Sequence, residues 1–175
     1  MTKLAYAGLA LALVALAGGC SSGETSRHDP KIYRMGESVG TGPLVYTVLD
    51  TEWLDQIGDP ASPRLPRNRF LSVLLTVTNS GPATSGVPQL TLADSHGTSF
   101  AELTDASGLA EWLGFLRSVR PAETLHGRIL FDVPTGPYRL QVTDDADPEN
   151  QASATIEMPL ELTRPQIRTD LPRRK

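Results

Sequence analysis

Apolar side chains recur at every second position through most of this chain, which is the period of a half-buried strand and not of a helix. In 43–53, Leu44, Tyr46 and Val48 share one face while Val45, Thr47 and Leu49 share the other. The run 70–78 sets Leu71, Val73, Leu75 and Val77 opposite Phe70, Ser72, Leu74, Thr76 and Thr78. It ends in Asn79-Ser80-Gly81-Pro82, where asparagine and glycine accept left-handed angles and proline cannot extend a ladder. Residues 87–93 and 98–103 are spaced as a hairpin around Asp94-Ser95-His96-Gly97. Further on, Leu125, Gly127, Ile129, Phe131 and Val133 alternate with Thr124, His126, Arg128, Leu130 and Asp132, and Pro134 to Pro137 turn the chain into Tyr138, Leu140 and Val142. A last strand carries Ala154, Ile156, Met158, Leu160 and Leu162. Seven or eight short strands separated by turn signals predict an all-β, antiparallel sandwich. A closed barrel would show the same alternation.

One segment departs from period two. In 108–118, Leu109, Trp112, Leu113 and Leu116 fall at i, i+3, i+4 and i+7, so a short amphipathic helix is expected in this connection. Asp105 and Ser107 are available to cap it. The plainer reading of the stripe is a helix that plugs one end of the sandwich. The functional reading makes Trp112 and Phe115 aromatic anchors of a partner or ligand surface, since Phe115 lies off the stripe.

The chain has 175 residues, 39% of them hydrophobic, so one core-forming domain is expected. Its first 19 residues do not belong to that domain. Met-Thr-Lys, a 14-residue apolar run from Leu4 to Ala17, and Gly18-Gly19 form the three regions of a secretory signal peptide. The run falls short of the ~20 residues that a membrane-spanning helix needs. The single cysteine, Cys20, follows at once and excludes an intrachain disulfide framework. Leu16-Ala17-Gly18-Gly19-Cys20 resembles a bacterial lipobox, with alanine three places before the cysteine and Leu16 one step further out. That resemblance implies a diacylglycerol thioether on Cys20 and cleavage before it. The protein would then sit in the cell envelope, anchored to the outer side of the cytoplasmic membrane or in the outer membrane. Two or more acyl chains give stable attachment, at ~0.8 kcal/mol per buried methylene. Residues 20–30 hold no aliphatic side chain and are expected to form a flexible tether.

The pieces of the body also resemble a known family. They are Gly36-Glu37-Ser38-Val39, the run Gly42 to Leu49, the run Phe70 to Gly81, the run Leu92 to Phe100, and the run Val119 to Pro134. In that order they are similar to the secreted bacterial domain of unknown function 4352. The resemblance implies an immunoglobulin-like β-sandwich over residues 31–163, similar to the fold of a small mycobacterial secreted antigen, and a lipoprotein signal ahead of it. It implies no catalytic residue.

Candidate chemistry is sparse. The histidines, His28, His96 and His126, stand apart, and no nucleophile elbow or phosphate-binding glycine loop is present, so neither an enzyme nor a cofactor is expected. The least poor base for a hydrolase is His126, flanked by Glu123 and Asp132. Met35, Met158, His96 and His126 are too scattered for a soft-metal carrier. The best set of hard oxygen ligands, for calcium, is Asp144, Asp145, Asp147 and Glu149, although the loop lacks EF-hand spacing. A charge run of this kind is more often a solvated turn.

The formal charge of −4 hides a division. Residues 20–163 carry 10 basic against 19 acidic side chains, a net −9, whereas 164–175 are basic at +4. The acidic balance gives no reason to expect nucleic acid as a partner. A basic disordered tail at 164–175 could touch anionic lipid or an acidic envelope polymer. The function expected is therefore that of a membrane-anchored, non-catalytic interaction module, whose partner is an envelope protein or an anionic polymer. The alternative is a carrier that shelters a small apolar ligand between sheet and helix.

Overall fold

In the computed structural model, which describes residues 31–145 and 151–160, every long alternating run folds as a strand. These are β3 (Leu44–Leu54), β4 (Arg69–Asn79), β9 (Thr124–Val133), β10 (Tyr138–Thr143) and β11 (Ser153–Met158). Six shorter strands join them: β1 (Ile32–Arg34), β2 (Ser38–Thr41), β5 (Ser85–Val87), β6 (Thr91–Ala93), β7 (Ser99–Ala101) and β8 (Arg117–Val119). One sheet has the order β1-β11-β10-β6-β7, a second has β2-β3-β4-β9, and β5 and β8 form a separate two-stranded ribbon.

The two larger sheets enclose one core. Leu44, Tyr46, Val48, Leu71, Val73, Leu75 and Ile129 from one sheet meet Leu92, Leu140, Val142 and Ile156 from the other, all of them buried. Burying each aliphatic side chain contributes roughly 1.5–3 kcal/mol, so the alternation read from the sequence is also the main source of stability. A β-bulge adjusts that alternation inside β3. Val48 pairs with Leu75 and Asp50 with Leu74, so Leu49 is the extra residue and stands 45% exposed. Even-numbered side chains point inward before the bulge and odd-numbered ones after it, which turns Trp53 toward the core and sends Asp50 and Glu52 outward.

The strand count exceeds the expected seven or eight because the short strands β1, β2 and β8 lie outside the expected runs and because one expected strand divides. The expected strand 87–93 is two strands, because Pro88 cannot donate to a ladder. On one side of it β5 pairs with β8; on the other β6 pairs with β10. The expected all-antiparallel arrangement also needs correction, since β1 runs parallel to β11, with Ile32 opposite Thr155 and Arg34 opposite Glu157. No hairpin joins these two strands. From β1 the chain turns at Met35-Gly36 and continues as β2 in the other sheet.

The expected helix at 108–118 is absent; the described residues contain no helix. Gly108, Glu111 and Gly114 all have positive φ, at 93°, 57° and 77°, and three left-handed residues in seven prevent helical hydrogen bonding. The segment instead pairs with the edge of β9: Leu103 N–H donates to Leu130 O, Leu113 N–H to Arg128 O, and Arg128 N–H to Glu111 O. Its Leu103, Leu109 and Trp112 pack on a second apolar cluster of Ile57, Phe70, Ala106 and Leu130, on the outer side of the four-stranded sheet. An edge strand that would otherwise be open is thereby covered.

Candidate functional site

Strand direction gives the sandwich two distinct ends. β11 runs from Ser153 to Met158 beside β10, with Tyr138 opposite Met158 and Thr143 opposite Ser153. Because β1 is parallel to β11, the chain enters from the Ser153 end and heads toward the Met158 end. The turns at 42–43, 80–84 and 120–123 lie at the entry end. The turns at 94–98 and 134–137 lie at the opposite end, together with the segment 55–68.

That opposite end carries a cleft of about 310 Å³. Its apolar wall is Pro137, Tyr138, Met158, Pro159 and Leu160, and its rim is Asp94, Ser95, Arg139 and Glu157. Tyr138 is fixed from several sides. Its hydroxyl donates to Pro134 O at 2.6 Å. Its ring meets Phe100 edge-on at 5.8 Å and the tilted ring of Trp53 at 6.3 Å. Burial pushes its hydroxyl pKa up, and the Asp94 carboxylate adds to the rise. Asp94 is held by its own turn: Oδ1 accepts from His96 N–H and Thr98 N–H, both at 2.8 Å. Those bonds, the one to Thr98 first, keep its carboxyl below the usual aspartate range. Across three neighbouring strands, Arg34, Glu157 and Arg139 stand in one row, with Arg139 and Glu157 4.0 Å apart. A second open cleft of about 400 Å³ shares Asp94 and Arg139 and continues over the outer face past Gln141 and Thr155. Small side chains such as Ala93 and Thr155 keep this face shallow.

The residues singled out from sequence lie elsewhere. Trp112 is half-buried in the second apolar cluster, so its ring serves packing, while Phe115 is half-buried and the adjacent Leu116 is 95% exposed. The space envisaged between sheet and helix does not exist, since the helix does not form and Leu109 and Trp112 fill against the sheet. Asp144 is buried and accepts from Ala152 N–H at 3.2 Å, closing its loop. Asp145 accepts from Gly86 N–H at 2.8 Å. Both carboxylates thus hold main chain; Asp147 and Glu149 lie outside the described residues. Among the described residues no three His, Cys, Asp or Glu side chains converge as a metal site would require.

The hydrolase set is not assembled either. His126 is exposed, and Asp132 sits six residues along the same strand, about 20 Å away by strand rise. Asp132 receives Arg67 N–H and Asn68 N–H at 2.7 and 2.8 Å, while Glu123 caps Arg120 N–H at 2.8 Å. Cys20 and the expected signal peptide 1–19, tether 20–30 and basic tail 164–175 lie outside the described residues. The cleft has only a faint trace in the sequence. Its available signal was Pro137 before Tyr138 and Pro159 after Met158, prolines that end two paired strands beside apolar side chains.

Fold and geometry define an all-β sandwich with an apolar cleft at one end. Residues 33–152 match the family described as Domain of unknown function (DUF4352), and the chain belongs to that family. No curated protein sequence matches it. Among solved structures it is similar to the yjhA protein of Bacillus subtilis, at 13% identity and a TM-score of 0.56, over 72% of this chain and 98% of that one. It is similar to the candidate lipoprotein ycdA of Bacillus subtilis at 16% identity and 0.54, over 70% of this chain and 38% of that one. The secreted protein MPT63 of Mycobacterium tuberculosis aligns at 16% identity and 0.51, over 74% and 98%. At these identities the likeness is one of fold.

Proposed function

We propose that this protein is a lipid-anchored lipoprotein of the cell envelope whose immunoglobulin-like sandwich binds a partner and catalyses no reaction. The polarity of the fold carries this reading: the chain enters at the Ser153 end, and the cleft opens at the Met158 end. A lipid on Cys20 and an 11-residue tether would let the domain stand off the membrane by up to about 40 Å, with the cleft outward. The Tyr138 hydroxyl bonded back to Pro134 O is a tyrosine corner of the kind found in immunoglobulin folds, which supports the finer fold name. The partner is an envelope protein or an anionic polymer, which the basic segment 164–175 would help to hold.

The cleft volume favours one second reading, a carrier for a small apolar ligand, since such sites begin at about 300 Å³. One experiment tests the anchor and a second separates these readings. In intact cells, wild type should incorporate an alkyne fatty acid and stay with membranes, and Cys20→Ala should do neither; membrane retention of Cys20→Ala would sink the anchor. A photoreactive residue at Ser95 should capture a discrete partner that the same residue at Ser118 does not. If Ser95 captures nothing and native mass spectrometry shows a bound small molecule, the carrier reading replaces the module.

A further inference from the structure

Among the described residues Arg117 is the only buried basic side chain. Along β8, Arg117 and Val119 point inward and Ser118 outward, so the arginine follows the strand's alternation into the sandwich. Its side chain is 2% exposed, and so is that of Glu102, its ion-pair partner. Arg117 Nη2 donates to Glu102 Oε1, which also accepts from Leu90 N–H at 3.1 Å. A guanidinium has five N–H groups in a rigid fork. Arg117 Nε and Nη1 are buried and find no acceptor among the described residues. Native interiors pair nearly all such groups, with ordered water where protein atoms do not reach.

The surroundings decide what fits. Tyr46 of β3, also buried, lies within the field of Arg117, Asp144, Glu102 and Asp145. Glu102 already balances the charge of Arg117, and two further carboxylates lie close enough to Tyr46 to act on it. A second anion there would meet repulsion. A water molecule would not, because it accepts from the guanidinium and donates onward.

We propose that the sandwich encloses an internal water site on the Nε and Nη1 edge of Arg117, and that this hydrated ion pair seats the β5–β8 ribbon against the core. The ribbon has only three residue pairs of its own, from Ser85 with Val119 to Val87 with Arg117, and two bonds tie its main chain to the sandwich, Gly86 N–H to Asp145 and the Asn79 amide to Val119 O, so the inward Arg117 adds a third attachment.

Crystals of the protein grown in chloride and in bromide, at a resolution that shows ordered solvent, test the site directly. The expected result is a solvent oxygen within about 3.2 Å of Nε or Nη1 in both, without anomalous bromide signal. An anomalous peak there would make it an anion site. A guanidinium fully bonded to protein atoms would remove the site altogether. In solution, oxygen-17 relaxation dispersion should count at least one fewer long-lived water in Arg117→Met/Glu102→Leu than in wild type. An unchanged count overturns the proposal, and if the double variant does not fold the crystals still decide.

Discussion

Asp94 uses a single oxygen to hold the N–H groups of His96 and Thr98, and with them the whole β6–β7 turn at the cleft rim. The sequence marks this turn through Asp94 and Gly97, the latter with φ of 83°. Because the folded carboxyl lies below the ordinary aspartate value of 3.8, its contribution is complete above that pH and is lost as pH falls through the lower folded value. An NMR titration should therefore show the His96 and Thr98 amide signals moving with a midpoint below 3.8, and Asp94→Asn should abolish the transition. Asn79 was legible only as a turn former, yet it is fully buried. Its side-chain amide serves Ala83 O and Val119 O at 2.7 and 2.8 Å and receives Gly81 N–H at 2.8 Å. Asn79→Ala should cost about 1–3 kcal/mol for each group left unpaired, read from urea denaturation. Arg117 was not legible at all, since nothing local separates a buried arginine from an exposed one.

At the scale of elements, the long strands could be read because period two and burial coincide in them. The connection 103–116 could not, because its stripe of Leu109, Trp112, Leu113 and Leu116 fits a helix equally well. Tertiary structure decided the matter: β9 offered an unpaired edge, and the segment took it with left-handed residues at Gly108, Glu111 and Gly114. Gly127 makes this crossing possible. A Cβ there would lie 2.5 Å from Glu111 O and 2.9 Å from the Leu113 side chain. Gly127→Ala should cost about 1–3 kcal/mol by overpacking and speed amide exchange at Leu113 and Arg128. Gly40 has nothing within 4 Å of its Cβ position, so Gly40→Ala should leave that exchange unchanged.

The whole molecule was legible as a class and a series of turns, and less so as a topology. Neither the parallel β1–β11 pair nor the detached β5–β8 ribbon has a local signature, because both depend on which distant strand presents a free edge. The resulting polarity makes a prediction of its own. If lipid consumes Cys20 as proposed, single cysteines introduced at Thr84, at the entry end, and at Ser95, at the cleft end, can each carry a fluorophore. Quenchers in the bilayer should dim the label at 84 more strongly than the label at 95; equal quenching would mean that the domain has no preferred stance.

The parallel seating of β1 also bears on force. Under the proposed anchoring, a load would reach the domain through Lys31 and pull β1 along its own axis, away from the Met158 end. If a partner holds the cleft, β10 and β11 are drawn the opposite way, and the β1–β11 bonds are sheared together instead of being opened one after another. A strand of three residues is weak when peeled. Loaded in this direction, it would act as a clasp whose bonds share the load and fail together.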